Sequence, residues 1–341
     1  MNSNETNVTD TTNYNSLDVS LYMLIYYTLA IIIYVCGTLI NIWFLAAILS
    51  SQDMRSRLRN KLICNTIILH LVDGILVMPI ATGSYLSGSD YNCVLQTALD
   101  SIRQIQDFIG NWLLVMLIVV FIAQIQDFNP GIKLTPRAVI VGTIGLLTFP
   151  WIVSIIVVPI TTHEIYYKVT GIRGSCFPAL QDAITIFKYL DTVLPILLAV
   201  ILLAVAAVLR YRRFTSGSMQ IELINRGPEI DNTFAYVTAV VVSILCDFLQ
   251  IIVFIGNVNL YRYGLSTMFT MYAITFLLAD LRVVLMPLTW LLLTDVRQRI
   301  KTWRPWYRPA AGIDVTMTYS KEKSDQKIVI SFFGILASYF K

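Results

Sequence analysis

Charge is scarce in this 341-residue chain. Asp, Glu, Lys and Arg together make up 13% of it, where soluble domains carry about a quarter. Histidine is scarcer: His70 and His163 are the two present, and the five cysteines form no Cys-x-x-Cys pair. Zinc centres need such clusters, so no metal or other cofactor is expected. A hydrolase working inside a membrane needs a set such as His/Asp or Ser/His in its core, and His70 is the lone histidine at membrane depth. The protein is therefore not expected to be an enzyme. No internal repeat is present, which counts against a transporter or channel, the third function class weighed. The first 20 residues hold no Lys or Arg and no early apolar core, so a cleavable signal peptide is not expected. The net charge of +4 follows from an uneven spread of basic residues and implies no nucleic-acid partner.

What is abundant is apolar surface: 56% of residues are hydrophobic. A helical span needs about 20 mainly apolar residues. Seven stretches qualify, at 21–49, 62–86, 96–125, 138–160, 184–209, 233–256 and 267–293. They lack the period-2 alternation of a barrel, and a bilayer tolerates only helices or closed barrels. The fold class expected is an all-α membrane protein, a seven-transmembrane helix bundle. A short amphipathic eighth helix follows, because Val296, Ile300 and Trp303 in "DVRQRIKTW" fall at helical steps opposite Arg297, Arg299 and Lys301. The expected division is an N-terminal segment over 1–20, the bundle over 21–294, the juxtamembrane helix over 295–304 and a tail over 305–341. Basic residues orient a bundle, and 19 of the 25 Lys and Arg fall in the connections at 50–61, 126–137 and 210–232 or in the tail. That side is expected to be cytoplasmic, with the N-terminus outside and the plasma membrane as location. Asn4 in "NET" and Asn7 in "NVT" are then glycosylation acceptors. Cys93 and Cys176 fall in the outer segments, where disulfides form. A bond between them would stabilise the closed loop by about 2–4 kcal/mol.

Several short motifs stand in the order and at the spacing of one family. "LHLVDGILVMP" offers Asp73 in span 2, "GTLIN" offers Asn41 in span 1, and "FPWIVSIIVVP" offers Trp151 in span 4. "TVLPILL" offers Pro195 in span 5, "LTPRA" leads into span 4, "MPLTW" holds Pro287 in span 7, and "LLLTDVRQRI" runs into the eighth helix. Together these resemble the rhodopsin-like (class A) G-protein-coupled receptors over residues 20–305. The resemblance implies an extracellular small-molecule or peptide ligand, a heterotrimeric G-protein partner and a sodium-site aspartate at Asp73. The departures fall where that family switches. No Arg or Lys occurs from Gln104 to Ile132, so the arginine that ends the family's third span is missing. Two anchors for its place disagree: counting from Pro130 gives Ala123, and counting from Cys93 gives Ile118. "CDFL" replaces the family's Cys-Trp-x-Pro in span 6, and Met286 and Trp290 flank Pro287 where the family has Asn and Tyr. Span 7 has no lysine, which excludes the retinal linkage of visual pigments.

The spans also carry charges, and a charge at mid-bilayer depth costs at least about 2.5–3.5 kcal/mol. Asp73 lies in span 2, Asp100, Arg103 and Asp107 in span 3, Asp247 in span 6, and Asp280 and Arg282 in span 7. Asp100, Arg103, Asp107 and Asn111 follow at helical steps and share a face, either bridged by Arg103 or lining a ligand cavity. Asp280 and Arg282 sit about 200° apart on a helix, so each needs a partner on another helix. The expectation is that Arg282 takes the sodium place and pairs with Asp73, bidentately. Asp247 and Asp280 are expected to join Asp100, Asp107 and Asn111 in facing the ligand cavity. The leading reading is a receptor. The alternative is a receptor-shaped partner subunit or decoy that does not couple by itself, which the missing arginine favours.

Overall fold

The computed structural model describes residues 16–86, 93–126, 135–169, 189–215, 231–255 and 265–303. Asn4, Asn7, Cys176 and the tail from 304 lie outside them, as do the side chains of Cys93 and Asp100. The described residues are almost wholly helical and contain no strand.

Seven helices among them are long and apolar enough to cross a membrane. Span 1 is Ser16–Leu49. After a five-residue helix, Gln52–Ser56, span 2 runs through Leu58–Val72, a π-turn at Asp73–Val77 and Met78–Leu86. Span 3 is Cys93–Ile125 and span 4 is Pro136–Val169. Span 5 opens with a π-turn, Tyr189–Val193, and continues as Leu194–Thr215. Span 6 is Thr233–Gln250 and ends in a third π-turn, Ile251–Ile255. Span 7 is in two pieces, Leu265–Asp280 and Arg282–Thr289, joined at Leu281, and ends in a tight turn at Trp290–Leu292. A final helix, Thr294–Thr302, follows and buries Val296 and Ile300.

Local chemistry sets several of these ends. Pro136 opens span 4, where its missing N–H is no loss, and the Thr135 hydroxyl accepts from the Ala138 N–H at 3.3 Å. Asn232 caps span 6 by accepting from the Phe234 N–H at 3.1 Å, the usual task of an asparagine there. The apolar faces decide the packing. Span 3 is the most buried of the seven and span 4 the least. Span 3 packs against spans 2, 4 and 5, span 1 against spans 2 and 7, and span 6 against spans 5 and 7. Span 4 leaves Ile140, Val141, Ile144, Phe149, Ile152 and Ile155 exposed. A continuous apolar outer face of that size has lipid as its natural solvent.

Two glycines let helices meet closely. A methyl group on Gly37 would lie 2.6 Å from Val283 Cγ1, and one on Gly74 would lie 2.3 Å from Thr38 Oγ1. Span 1 is thereby drawn against span 7 on one side and against the π-turn of span 2 on the other.

Candidate functional site

Two buried polar clusters occupy the bundle core, and span 7 feeds both. Asp280 and Arg282 lie on opposite sides of span 7, one on each side of Leu281: Asp280 meets Tyr34 of span 1, and Arg282 meets spans 3 and 6.

The Arg282 guanidinium forms an ion pair with Asp247 of span 6. The same nitrogen donates to Asn111 Oδ1 at 2.8 Å and approaches Ser243 Oγ at 3.5 Å. Its other terminal nitrogen lies 3.8 Å from the partly exposed Asp107 carboxylate. Arg282, Asp247, Asn111 and Ser243 are all buried. A buried charge stays in place only with a partner and hydrogen bonds, and the three spans supply both. Asn111 also donates through Nδ2 to the Asp191 carbonyl of span 5 at 2.9 Å. That carbonyl lies four residues before Pro195, which has no N–H to offer it. Asn111 thus replaces a bond that proline removes.

The same device recurs in span 7. Pro287 leaves the Val283 carbonyl without its helical donor, and Asn41 Nδ2 reaches across from span 1 to supply one at 2.9 Å. Asn41 also donates to the Gly37 carbonyl at 2.8 Å, which fixes its rotamer.

The second cluster is centred on Tyr34. Its hydroxyl lies 2.5 Å from Asp73 Oδ2 and 2.8 Å from Asp280 Oδ1. The Gln106 amide, turned so that both its ends are satisfied, donates to Asp73 Oδ1 at 3.2 Å. Arg103 reaches in from span 3, with Met78 Sδ 3.4 Å from its guanidinium and Asp73, Asp280, Tyr26 and Tyr34 within electrostatic range.

The expected pairing of Arg282 with Asp73 is corrected by this geometry. Arg282 pairs with Asp247, and Asp73 is held by Tyr34 and Gln106. The cause is which neighbours each face meets: Arg282 points toward spans 3 and 6, where Asp247 is the near carboxylate, while Asp73 lies on the side of span 1 and Tyr34. Asp247 and Asp280 do not face a common cavity, since each serves a different cluster. Asp107 and Asn111 do share a face, as their spacing implied, and they meet Arg282. Arg103 on the same stripe turns instead to the Tyr34 cluster. Sequence reasoning missed Tyr34, Ser243, Gln106 and the buried Asp191. Tyr34 had a signal: Tyr34, Gly37, Thr38 and Asn41 fall at helical steps, a polar and small stripe within an oily span.

A third cluster closes the end of the bundle that carries the basic connections. Arg59, buried at the foot of span 2, forms ion pairs with Asp231 ahead of span 6 and with Asp295 at the start of the final helix. Arg57 joins Asp295 at 2.8 Å. The Tyr236 hydroxyl donates to Asp231 at 2.8 Å, and its ring stacks on Phe121 at 4.4 Å and meets Trp290 edge-on at 6.3 Å. Arg299 fastens the final helix to span 1 through the Ser50 hydroxyl at 2.6 Å and the Ala47 carbonyl at 3.2 Å. Two grooves open at this same end. One of about 240 Å³ lies between spans 3 and 5, lined by Ile125, Gln126, Leu209, Arg212 and Arg213. The other, of about 440 Å³, lies beside Asn65 and Trp151, whose side chains bond to each other at 3.0 Å.

Comparison with known protein families finds no match, and no curated protein matches the sequence. The class that can be stated is an all-helical bundle with seven helices long and apolar enough to cross a membrane and, among the described residues, two buried ionic clusters in its core and a third at one end.

Proposed function

We propose that this chain is a seven-helix receptor of the rhodopsin-like kind. It sits in the plasma membrane with its N-terminus outside and its basic end in the cytoplasm. An extracellular small molecule or short peptide acts on the bundle, and a heterotrimeric G protein reads the result inside. The observation that carries this reading is span 6. One face of it holds Asp247 and Ser243 against Arg282 in the core, and Tyr236 lies on that same face just beyond Asp231 and the Arg59 clasp. A signal needs an element with two arrangements that a ligand prefers unequally. Span 6 is tied at both levels by breakable ionic contacts, which suits it to that role. The groove between spans 3 and 5, with an apolar floor and Arg212 and Arg213 at its edge, is where a cytoplasmic partner would insert.

A second reading has its own observation. Span 3 contains no Arg or Lys beyond Arg103, so the usual G-protein contact is absent. A receptor-shaped partner subunit or decoy would look the same from within the bundle. Basal and ligand-panel G-protein activation in cells separates the two readings, scored where surface staining confirms delivery. Coupling above background supports the receptor. Silence across all G-protein classes with good surface expression moves the assignment to the partner or decoy.

A further inference from the structure

The Tyr34 cluster contains more acceptors than its hydrogens can serve. A phenol carries one hydrogen, yet the Tyr34 oxygen is within hydrogen-bond distance of two carboxyl oxygens, at 2.5 Å and 2.8 Å. Both contacts are hydrogen bonds only if one carboxyl brings a hydrogen of its own.

The surroundings decide which one. Asp73 has a donor for each oxygen: the Tyr34 hydroxyl at Oδ2 and the Gln106 amide at Oδ1. That is the setting of an ionised, acceptor-only carboxylate. Asp280 has none beyond the shared phenol. Its Oδ2 is buried with no hydrogen-bond partner, and the residue is 7% exposed. A carboxylate charge left in that state is costly, and neutralising it is the usual remedy. The charge balance agrees. Tyr26 and Tyr34 face Asp280 from span 1, Asp73 from span 2, and Arg103 and Asp107 from span 3. Asp107 is partly exposed and lies toward Arg282. Among the described residues, the core of the cluster therefore has one base, Arg103, for two acids. Arg282, two residues along, points into the other cluster.

We propose that Asp280 carries a proton in the folded protein and donates it to the Tyr34 oxygen, which in turn donates to an ionised Asp73, making this trio a proton site that ties span 7 to spans 1 and 2. When the proton leaves Asp280 Oδ1 for solvent, two anions share one phenol hydrogen and the joint loosens. The site stands whether or not the protein couples to a G protein.

Infrared absorption of the purified full-length protein in lipid nanodiscs tests this. The wild type is expected to show the carbonyl stretch of a protonated carboxylic acid at mildly acidic pH, above the range in which ordinary carboxylic acids are protonated, shifted in D2O. Asp280→Asn should abolish that band, and Asp107→Asn and Asp247→Asn should retain it. Absence of the band from the wild type, or its persistence in Asp280→Asn, overturns the proposal. Should Asp280→Asn fail to fold, Tyr34→Phe keeps both acids. Its band should shift or vanish because the acceptor is gone, and an unmoved band overturns the proposal equally. The wild-type unfolding midpoint should fall as pH rises from the ordinary carboxylate range up to the pH at which Asp280 loses its proton, and level off above it, while Asp280→Asn should not show that fall. Parallel pH profiles for the two would also rule the site out.

Discussion

Asn41 and Asn111 do the same job at the scale of single residues: each donates across the bundle to a carbonyl that a proline has deprived of its helical partner. An unsatisfied buried carbonyl costs about 1–3 kcal/mol, so Asn41→Ala should lower stability by that order. The decisive variant is Pro287→Ala, which restores an N–H at position 287 for the Val283 carbonyl. In that background the penalty of Asn41→Ala should shrink, and a thermal-unfolding double-mutant cycle measures the difference. Equal penalties in both backgrounds would sink the account. Arg282 gives a second test. Removing it strands Asp247 as a buried, unpaired charge, a loss of about 3–5 kcal/mol. Arg282→Asp should therefore lose surface expression, Asp247→Arg in the same chain should restore part of it, and Asp73→Arg should not. The residues that break the apolar pattern, Asp73, Asp107, Asn111, Asp247, Asp280 and Arg282, were legible in the sequence because charged and polar groups in oily runs demand partners. Their pairing was not legible. It depends on the rotational phase of each helix and on which neighbours each face meets: Arg282 meets Asp247 of span 6, and Asp73 meets Tyr34 of span 1.

At the scale of elements, the seven spans follow from length and hydropathy, but their ends agree unevenly: span 2 runs to Leu86, as 62–86 implied, whereas span 4 runs to Val169 against 138–160, and span 5 runs to Thr215 against 184–209. The irregular turns were hidden. Two of the three π-turns precede or overlap a proline, Pro79 and Pro195, and the break in span 7 lies six residues before Pro287. Proline removes a bond at a known position, but how the chain absorbs the loss depends on what neighbouring helices offer. Close approach is the other element-scale feature. Span 1 meets span 7 where Gly37 faces Val283 Cγ1 and the Val283 backbone carbon, 2.6 Å and 3.4 Å from where a methyl group would sit. Gly37→Ala should overpack this seam and lower stability by about 1–3 kcal/mol. Val283→Ala removes the nearer atom, so the double variant should recover part of the loss. If Gly37→Ala unfolds at the wild-type temperature, the seam is looser than the geometry implies.

Across the whole molecule, the core and the basic end are linked by one helix, span 6. Tyr236, Ser243 and Asp247 fall on one face of span 6, so a rotation that frees Asp247 from Arg282 also carries Tyr236 and Asp231 away from Arg59. Under the receptor reading, each ionic contact holds the silent arrangement, and breaking either one should release it. Arg59→Gln removes both of its ion pairs, to Asp231 and to Asp295. It should raise basal G-protein activation at matched surface density. Asp231→Asn, which cuts the span 6 contact and leaves Asp295 paired, should raise it as well, whereas Asp295→Asn should do so less. That ordering separates a restraint on span 6 from general loosening of the basic end. Asp247→Asn should also activate, and combined with Arg59→Gln it should add less than the sum of the two, because one element is being released twice. Equal effects of Asp231→Asn and Asp295→Asn would show that the clasp stabilises the end of the bundle without restraining span 6. A fully additive double variant would show that core and clasp act on different elements.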